Sequence, residues 1–443
     1  FSCGRFNQKV AYMPLSVAVV GAGPAGFYAA DAVLSAFPDA EINIIEQWPA
    51  PFGLVRYGVA PDHLSTKNVT KIFGKILAKN GVRFVGNVNV GRDVSYQELK
   101  SIFDLVVISV GMEHPRCLEI PGADTKGVVS ATDFVGWYNA VPGFIDCSDC
   151  VSNAKSAVII GNGNVALDIA RLLAKNGSEL AKTDIDPNAG RCLAHSEIED
   201  IYIIGRRGPA EANFSFPELS ELGGLEDADP VVDQNLFPVN LDTIDEVVKK
   251  KKERNLRVLE SFARLERAKK KVRVHLCFCA SPLEIVGDEQ VTGINFARNE
   301  VLEGVAKATG EEFFISTDLV VPAIGYSSKP ISGIPYDVKT SQVTNVNGMV
   351  ENGVYVVGWA RRGSNGVIGT NRVDAREVIG LINPKLVPSK ESGWPRLRRL
   401  LVSRNVEVVD AARWQIIDMA EKSRADGRRP RVKFNNIKAM LAV

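Results

Sequence analysis

"SVAVVGAGPAGFYAA" (Ser16–Ala30) opens as a short strand-forming run, breaks at Gly21-x-Gly23-x-x-Gly26, and continues as a helix pattern. "KSAVIIGNGNVALDIA" (Lys155–Ala170) repeats the plan, with Gly161-x-Gly163-x-x-Ala166 at the break. In such a turn the first glycine permits a tight bend, and the second lets backbone approach a pyrophosphate. The third small residue lets helix and strand pack closely. The helix N-terminus then offers unpaired N–H groups and a partial positive charge to the anion. Two turns of this kind in one chain predict an α/β fold with two Rossmann-like dinucleotide-binding domains.

The strand after each cradle separates the two sites. "EINIIEQ" (41–47) carries Glu46 at the place, about 20 residues on, where an acid bonds a ribose hydroxyl. "IEDIYIIGRRGP" (198–209) carries Arg206-Arg207 instead. A carboxylate there would repel a 2′-phosphate, whereas two guanidiniums bind one. The second site therefore reads as NADP(H)-binding. A relay from nicotinamide to a second cofactor explains two sites in one chain, and FAD, with its own adenosine diphosphate half, suits the Glu46 site. The competing readings are a glycine-rich turn of an ordinary α/β protein and arginines that only face solvent.

Each unit closes on a similar apolar strand, "DLVVISVG" (104–111) and "DLVVPAIG" (318–325). Between the strands of the first unit lies "WPAPFGLVRYGVAPDH" (48–63), whose glycines and prolines mark a binding loop. A last strand, "GVYVVGWA" (353–360), follows the second unit without a glycine turn of its own, which predicts a return to the first domain. The expected division is 1–115 and 336–443 for the first domain and 116–335 for the inserted one. The segment 231–275 is charged and helix-like, and the tail 384–443 is mixed and basic.

The chain of 443 residues is 45% hydrophobic and 24% charged, as globular proteins are. A net charge of +1 gives no support to a nucleic-acid partner, and no apolar stretch is long enough to span a membrane. Seven cysteines without regular spacing fit a reducing compartment better than a disulfide framework. The first 16 residues hold Arg5 and Lys9 and no acid, as the tail of an organelle-targeting segment does; a cut or renumbered terminus at Phe1 explains the same residues.

"FGLVRYGVAPDH" (52–63), "FVGWYN" (134–139), "GNGNVALDIAR" (161–171), "LAKTDI" (180–185), "IIGRRGP" (203–209) and "GWARRGSNGVIGT" (358–370) together resemble the adrenodoxin reductase family of mitochondrial-type ferredoxin–NADP+ reductases. The likeness runs in order along nearly the whole chain. It implies an FAD domain built from both chain ends with an NADP domain inserted. It places Gly21, Gly23, Ala25, Gly26, Glu46, Leu54, Val90, Trp359, Gly366, Val367 and Ile368 at FAD. Asn162, Gly163, Asn164 and Val165 fall at the NADP pyrophosphate, Arg206 and Arg207 at the 2′-phosphate, and Glu218 and Gly366 at the nicotinamide end. His63 and Asp168 fall near the flavin and the domain interface; with Glu218 they are the expected catalytic residues, positioning groups or managing flavin protons. The chain departs from the family at Tyr57, Asn162 and Ser364.

The resemblance implies hydride transfer from NADPH to flavin, then single-electron delivery to an acidic [2Fe–2S] ferredoxin. Lys249, Lys250, Lys251, Lys252 and Arg254, with Arg257 beside them, form the expected basic docking run; the competing reading is a solvated helix face. The expected location is the mitochondrial matrix in a eukaryote and the cytoplasm otherwise. The sharpest rival is a thiol/disulfide reductase using Cys147 and Cys150, which form C-x-x-C just before the second cradle. Chance proximity of two loop cysteines is the plainer account. A nucleotide-sensing module without turnover, an N-terminal iron–sulfur cluster and a zinc site from Cys147, Cys150, Cys277 and Cys279 are weaker readings; C-x-C spacing suits zinc poorly. No resident metal is expected.

Overall fold

A computed structural model describes residues 13–239, 241, 246–265, 270–383, 388 and 393–443. The expected targeting-type segment lies almost wholly outside these residues. The strand Ser16–Val20 is buried along its length, which is why it reads as an apolar run rather than an alternating one. It pairs in parallel with Glu41–Ile45 on one side and Leu105–Ile108 on the other. Val82–Val85 extends the sheet beyond Glu41–Ile45. Val354–Val356 pairs in parallel with Leu105–Ile108, and Met349–Glu351 closes that edge antiparallel. The six-stranded sheet thus takes strands from both ends of the chain.

The second sheet has five parallel strands, with Ser156–Ile160 flanked by Leu319–Pro322 and Asp200–Ile204, followed by Val272–Cys277 and Ala228–Val231. The chain leaves the first sheet at Ile108, builds the second, and returns at Met349. His114–Pro115 and Tyr326–Ser327, the outgoing and returning segments, pair with each other antiparallel. These are two Rossmann-like units, one inserted in the other.

Two parts of the chain differ from the sequence-based expectation. The charged segment 231–275 is not one helical stretch. A strand ends at Val231, the helix is confined to Glu246–Ala263, and a strand with alternate residues buried begins at Val272. Residues 240, 242–245 and 266–269 lie outside the described part. In addition, Ala280–Val286, Gly293–Leu302 and Val305–Ser316 form a separate antiparallel sheet. The third strand is exposed over most of its length, so it carries no apolar run to announce it.

Candidate dinucleotide sites and the seam between them

Gly21 has φ +106°, and a Cβ there would lie 2.6 Å from the Ser109 carbonyl oxygen. A Cβ on Gly26 would lie 2.0 Å from the Gly21 carbonyl oxygen, so only glycine lets the helix Pro24–Ala36 start against the strand. Gly23 is different: its nearest neighbour is the Gly53 Cα, 4.0 Å from a built Cβ. Gly53, at φ +48°, comes from the 48–63 loop, which is tied over the turn by the Phe52 N–H donating to the Ala22 carbonyl at 2.8 Å. The returning chain meets the same turn, since a Cβ on Gly358 would touch Ala25 at 2.5 Å.

Glu46 sits just past its strand and is buried. Its carboxylate accepts from the Ala22 N–H at 2.8 Å and the Trp48 N–H at 3.2 Å. Burial pushes this carboxyl up to about 7, against those backbone bonds. Leu54 opens the short helix Leu54–Tyr57, and Val90 lies in the turn after Val82–Val85, half-buried. The Trp359 indole donates to the Asn365 carbonyl at 3.1 Å. In the adjoining turn Gly366 takes φ +87°, Val367 is exposed and Ile368 packs on the first unit's core.

In the second cradle a Cβ on Gly161 (φ +129°) would lie 2.4 Å from the Ala323 carbonyl oxygen, whereas one on Gly163 would meet nothing within 4 Å. The turn is closed where strand and helix must touch and open where a pyrophosphate would approach. The cradle helix runs Asn164–Ala174. Asn164 Oδ1 accepts from the Ser215 N–H at 2.7 Å, and the Asn162 carbonyl from the Asn213 N–H at 3.1 Å, binding the 205–215 loop beside the turn. Val165 packs on the second unit's core. The backbone of Arg206 and Arg207 is fixed by Asn299 Nδ2 and the Cys279 N–H, at 2.8 and 3.0 Å. The Arg206 side chain is exposed and that of Arg207 half-buried. Both cradles thus have room for a dinucleotide pyrophosphate, with an acid after the strand that follows the first and two arginines after the strand that follows the second.

His63 ends the flavin-type loop and faces the second unit. Its Nε2 lies 2.8 Å from Glu221 Oε2 and its Nδ1 3.9 Å from Asp168 Oδ1. Glu218, the expected catalytic glutamate, lies earlier on the helix Phe216–Glu221, and its Oε2 is buried without a hydrogen-bond partner. The residue that meets His63 is Glu221, the last of that helix, about 4.5 Å of helix rise beyond Glu218. Burial opposes a charge on His63, but the Glu221 bond, with Asp168 and Asp62 nearby, carries its pKa above the ordinary value. Burial pushes Asp168 up to about 6, even beside Arg171.

Asp62 and Arg171 belong to the same seam and were not among the expected site residues. The sequence offers only weak signals for them, an acid before the loop histidine and a basic residue in an apolar helix. Glu113 also went unread. Its carboxylate accepts from Gln47 Nε2 at 2.6 Å, and burial, with Glu46 nearby, lifts it to about 8. Glu113 lines a small cavity with Leu54, Tyr57 and Tyr326.

Cys147 is buried and Cys150 half-buried, both as free thiols. Burial is the main cause that raises each thiol pKa, the opposite of what an attacking thiolate needs. Among the described residues no group of three or more His, Cys, Asp or Glu is arranged to hold a metal ion. No described helix is long and apolar enough to cross a membrane.

Two Rossmann-like units with dinucleotide cradles, joined at a charged seam, define a two-nucleotide fold, and the pyridine nucleotide-disulphide oxidoreductase family model matches residues 15–204. The chain is 39% identical to the NADPH-ferredoxin reductase FprA of Mycobacterium tuberculosis, covering 97% of this chain and 99% of that one. It is 36% identical to the mitochondrial NADPH:adrenodoxin oxidoreductase of Arabidopsis thaliana, over 100% and 98% of the two chains. The human mitochondrial enzyme of that name is 37% identical, over 96% and 91%. The structure of Mycobacterium tuberculosis FprA in complex with NADPH superposes with a TM-score of 0.93 at 38% identity, covering 97% and 99%. The chain belongs to the family of NADPH-ferredoxin and NADPH:adrenodoxin reductases.

Proposed function

We propose that this protein is an FAD-dependent oxidoreductase that takes a hydride from NADPH and passes single electrons to a [2Fe–2S] ferredoxin. The observation that carries the reading is the pair of cradles, Glu46 beside one and Arg206-Arg207 beside the other, in two units joined at the His63–Glu221 seam. When bound, the flavin supplies the chemistry that accepts a hydride and releases electrons singly.

The chain's own residues supply binding, orientation and charge. The flavin domain is 1–115 with 336–443, and the inserted nucleotide domain is 116–335. Gly21, Gly23, Ala25 and Gly26 hold the FAD pyrophosphate at a helix N-terminus, and Glu46 takes the ribose. Leu54, Val90, Trp359 and the Gly366–Ile368 turn complete that site. Asn162, Gly163, Asn164 and Val165 cradle the NADP(H) pyrophosphate, and Arg206 and Arg207 clamp the 2′-phosphate bidentately. His63 with Glu221 and Asp168 forms a hydrogen-bonded acid–base group at the seam that holds or moves a proton. Glu218, with an unpartnered carboxylate oxygen, lies at the nicotinamide end.

The partner is an acidic ferredoxin that docks on the helix Glu246–Ala263. Lys250, Lys251, Arg254 and Arg257 are exposed on it and suit an acidic surface. Lys249 is half-buried and flanks them. Lys252 contributes less, because its ammonium donates to the Ala210 carbonyl at 2.6 Å. In a eukaryotic cell the location is the mitochondrial matrix, elsewhere the cytoplasm.

Anaerobic titration with NADPH, followed by addition of [2Fe–2S] ferredoxins, tests the function. Flavin absorbance bleaches on NADPH addition and returns as ferredoxin is reduced. A protein without flavin, or a flavin that NADPH leaves oxidised, overturns the reading.

A further inference from the structure

Arg171 is 1% exposed, on the second turn of the helix that begins at the NADP-type cradle. An arginine does not shed its charge on burial, so its partners explain why it is there. Its Nε and Nη2 form a fork on Asp62, at 2.7 and 2.9 Å. Nη2 also donates to Asp168 at 2.8 Å, and Nη1 faces Glu221 at 3.5 Å without a hydrogen bond. Lys175, one turn further, reaches Asp62 at 3.0 Å. Burial would raise the Asp62 carboxyl, yet the Arg171 bonds hold it below the usual carboxylate range.

Asp62 belongs to the other unit and directly precedes His63 on the loop whose Gly53 roofs the first cradle. One guanidinium therefore ties the helix that starts at one nucleotide cradle to the loop that covers the other. It also contacts both carboxylates that face His63. A second tie, Lys67 to Asp184 at 2.6 Å with Lys433 at 3.4 Å, joins the same two units; it meets His63 only through the Lys67 N–H on the His63 carbonyl at 3.2 Å, and its ion pairs include neither the His63 imidazole nor Glu221. The two ties therefore differ in what they hold.

We infer that Arg171, through Asp62, is a positioning residue that sets the alignment of the nicotinamide-bearing helix with the flavin loop. The inference rests on the proposed function. A helix is stiff over two turns, so a change at Arg171 moves the cradle end of the same helix. Hydride transfer demands reacting atoms about 3–3.5 Å apart, and misplacement by about 1 Å costs on the order of 100-fold. Binding of NADP(H), by contrast, depends on the cradle and on Arg206 and Arg207, all within the inserted unit, and their mutual geometry is kept when the helix shifts together with its unit. Loss of the fork should therefore separate reduction rate from affinity.

The test uses the flavin-loaded protein and the variants Asp62→Asn and Arg171→Lys. The first is isosteric, and the second keeps the charge but cannot form the planar fork. Four quantities are measured: flavin content, the dissociation constant of NADP+, the rate of flavin bleaching at saturating NADPH, and amide exchange over residues 58–67. Both variants should keep flavin and bind NADP+ within about threefold of the unmodified protein. Bleaching should slow at least tenfold, and exchange over 58–67 should rise. Asp62→Asn reducing its flavin at the unmodified rate overturns the inference, whatever the exchange shows. So does a rate loss matched by an equal loss of NADP+ affinity, which would mark a general structural defect. If Arg171→Lys fails to fold, Asp62→Asn decides alone. If NADPH does not bleach even the unmodified protein, the proposed function falls, and unchanged exchange in Asp62→Asn would remove the clamp as well.

Discussion

The imidazole of His63 and the carboxylate of Glu221 meet at 2.8 Å across the seam between the two nucleotide units. Burial opposes both charges, yet the pair shifts each toward its charged form, His63 upward and Glu221 downward. A histidine pKa raised above its unfolded value of 6.5 gives stability that is complete below 6.5 and fades as pH rises through the folded value. Glu221 gives stability that is complete above its unfolded value of 4.5 and is lost as pH falls below it. Denaturant unfolding should therefore lose stability above pH 6.5 in the unmodified protein and less so in His63→Gln. Parallel curves for the two proteins between pH 6 and 8 would show that the pair contributes nothing to the fold's pH dependence.

Arg206→Ala with Arg207→Ala should remove most of the preference for NADPH over NADH. Charge-assisted bonds are worth about 1.5–3 kcal/mol each, so the ratio of kcat/KM values should fall at least tenfold. Activity with NADH should change little, since that cofactor has no 2′-phosphate. An unmodified protein that uses both cofactors equally would refute the NADP assignment.

The two kinds of cradle glycine should separate fold from binding. Gly163→Val adds a side chain where nothing lies within 4 Å, so the protein should unfold near the unmodified temperature but bind NADP+ at least tenfold more weakly. Gly26→Val drives a Cβ to 2.0 Å from backbone and should cost several kcal/mol, with poor soluble yield or a much lower Tm. Calorimetric unfolding and NADP+ titration of the two variants check this. Tight NADP+ binding by Gly163→Val would mean that the open face is not the pyrophosphate site.

Lys250→Glu with Lys251→Glu should slow ferredoxin reduction severalfold at low salt and leave reduction of a small uncharged quinone unchanged. Both side chains are exposed, so the substitutions leave the core intact. In the unmodified protein the ferredoxin rate should fall as the Debye length shrinks from about 10 Å at 0.1 M salt to about 3 Å at 1 M. Unmodified kinetics in the variant at low salt would move the docking face elsewhere.

Cys147→Ser with Cys150→Ser should leave NADPH-dependent ferredoxin reduction within about twofold, because burial holds both thiols protonated. Loss of most electron transfer, with flavin content unchanged, would revive the thiol-reductase reading.

The sequence by itself determined the two glycine turns and their strands, and it placed an acid after one and two arginines after the other. These are local: an apolar run, a turn that only glycine can make and a helix start lie within about 15 consecutive residues, and each constrains the next. It also signalled the return strand at Val354, because a buried strand without its own cradle needs a partner elsewhere. It did not disclose the antiparallel sheet 280–316, whose exposed third strand lacks an apolar pattern. The tertiary structure alone chose Glu221 over Glu218 as the partner of His63. The same holds for Asp62 and Arg171, 109 positions apart, and for Lys433 against Asp184. In a sequence these are ordinary charged residues. Burial at a seam between units makes each unpaired charge costly, and only the packing of those units decides which charges meet.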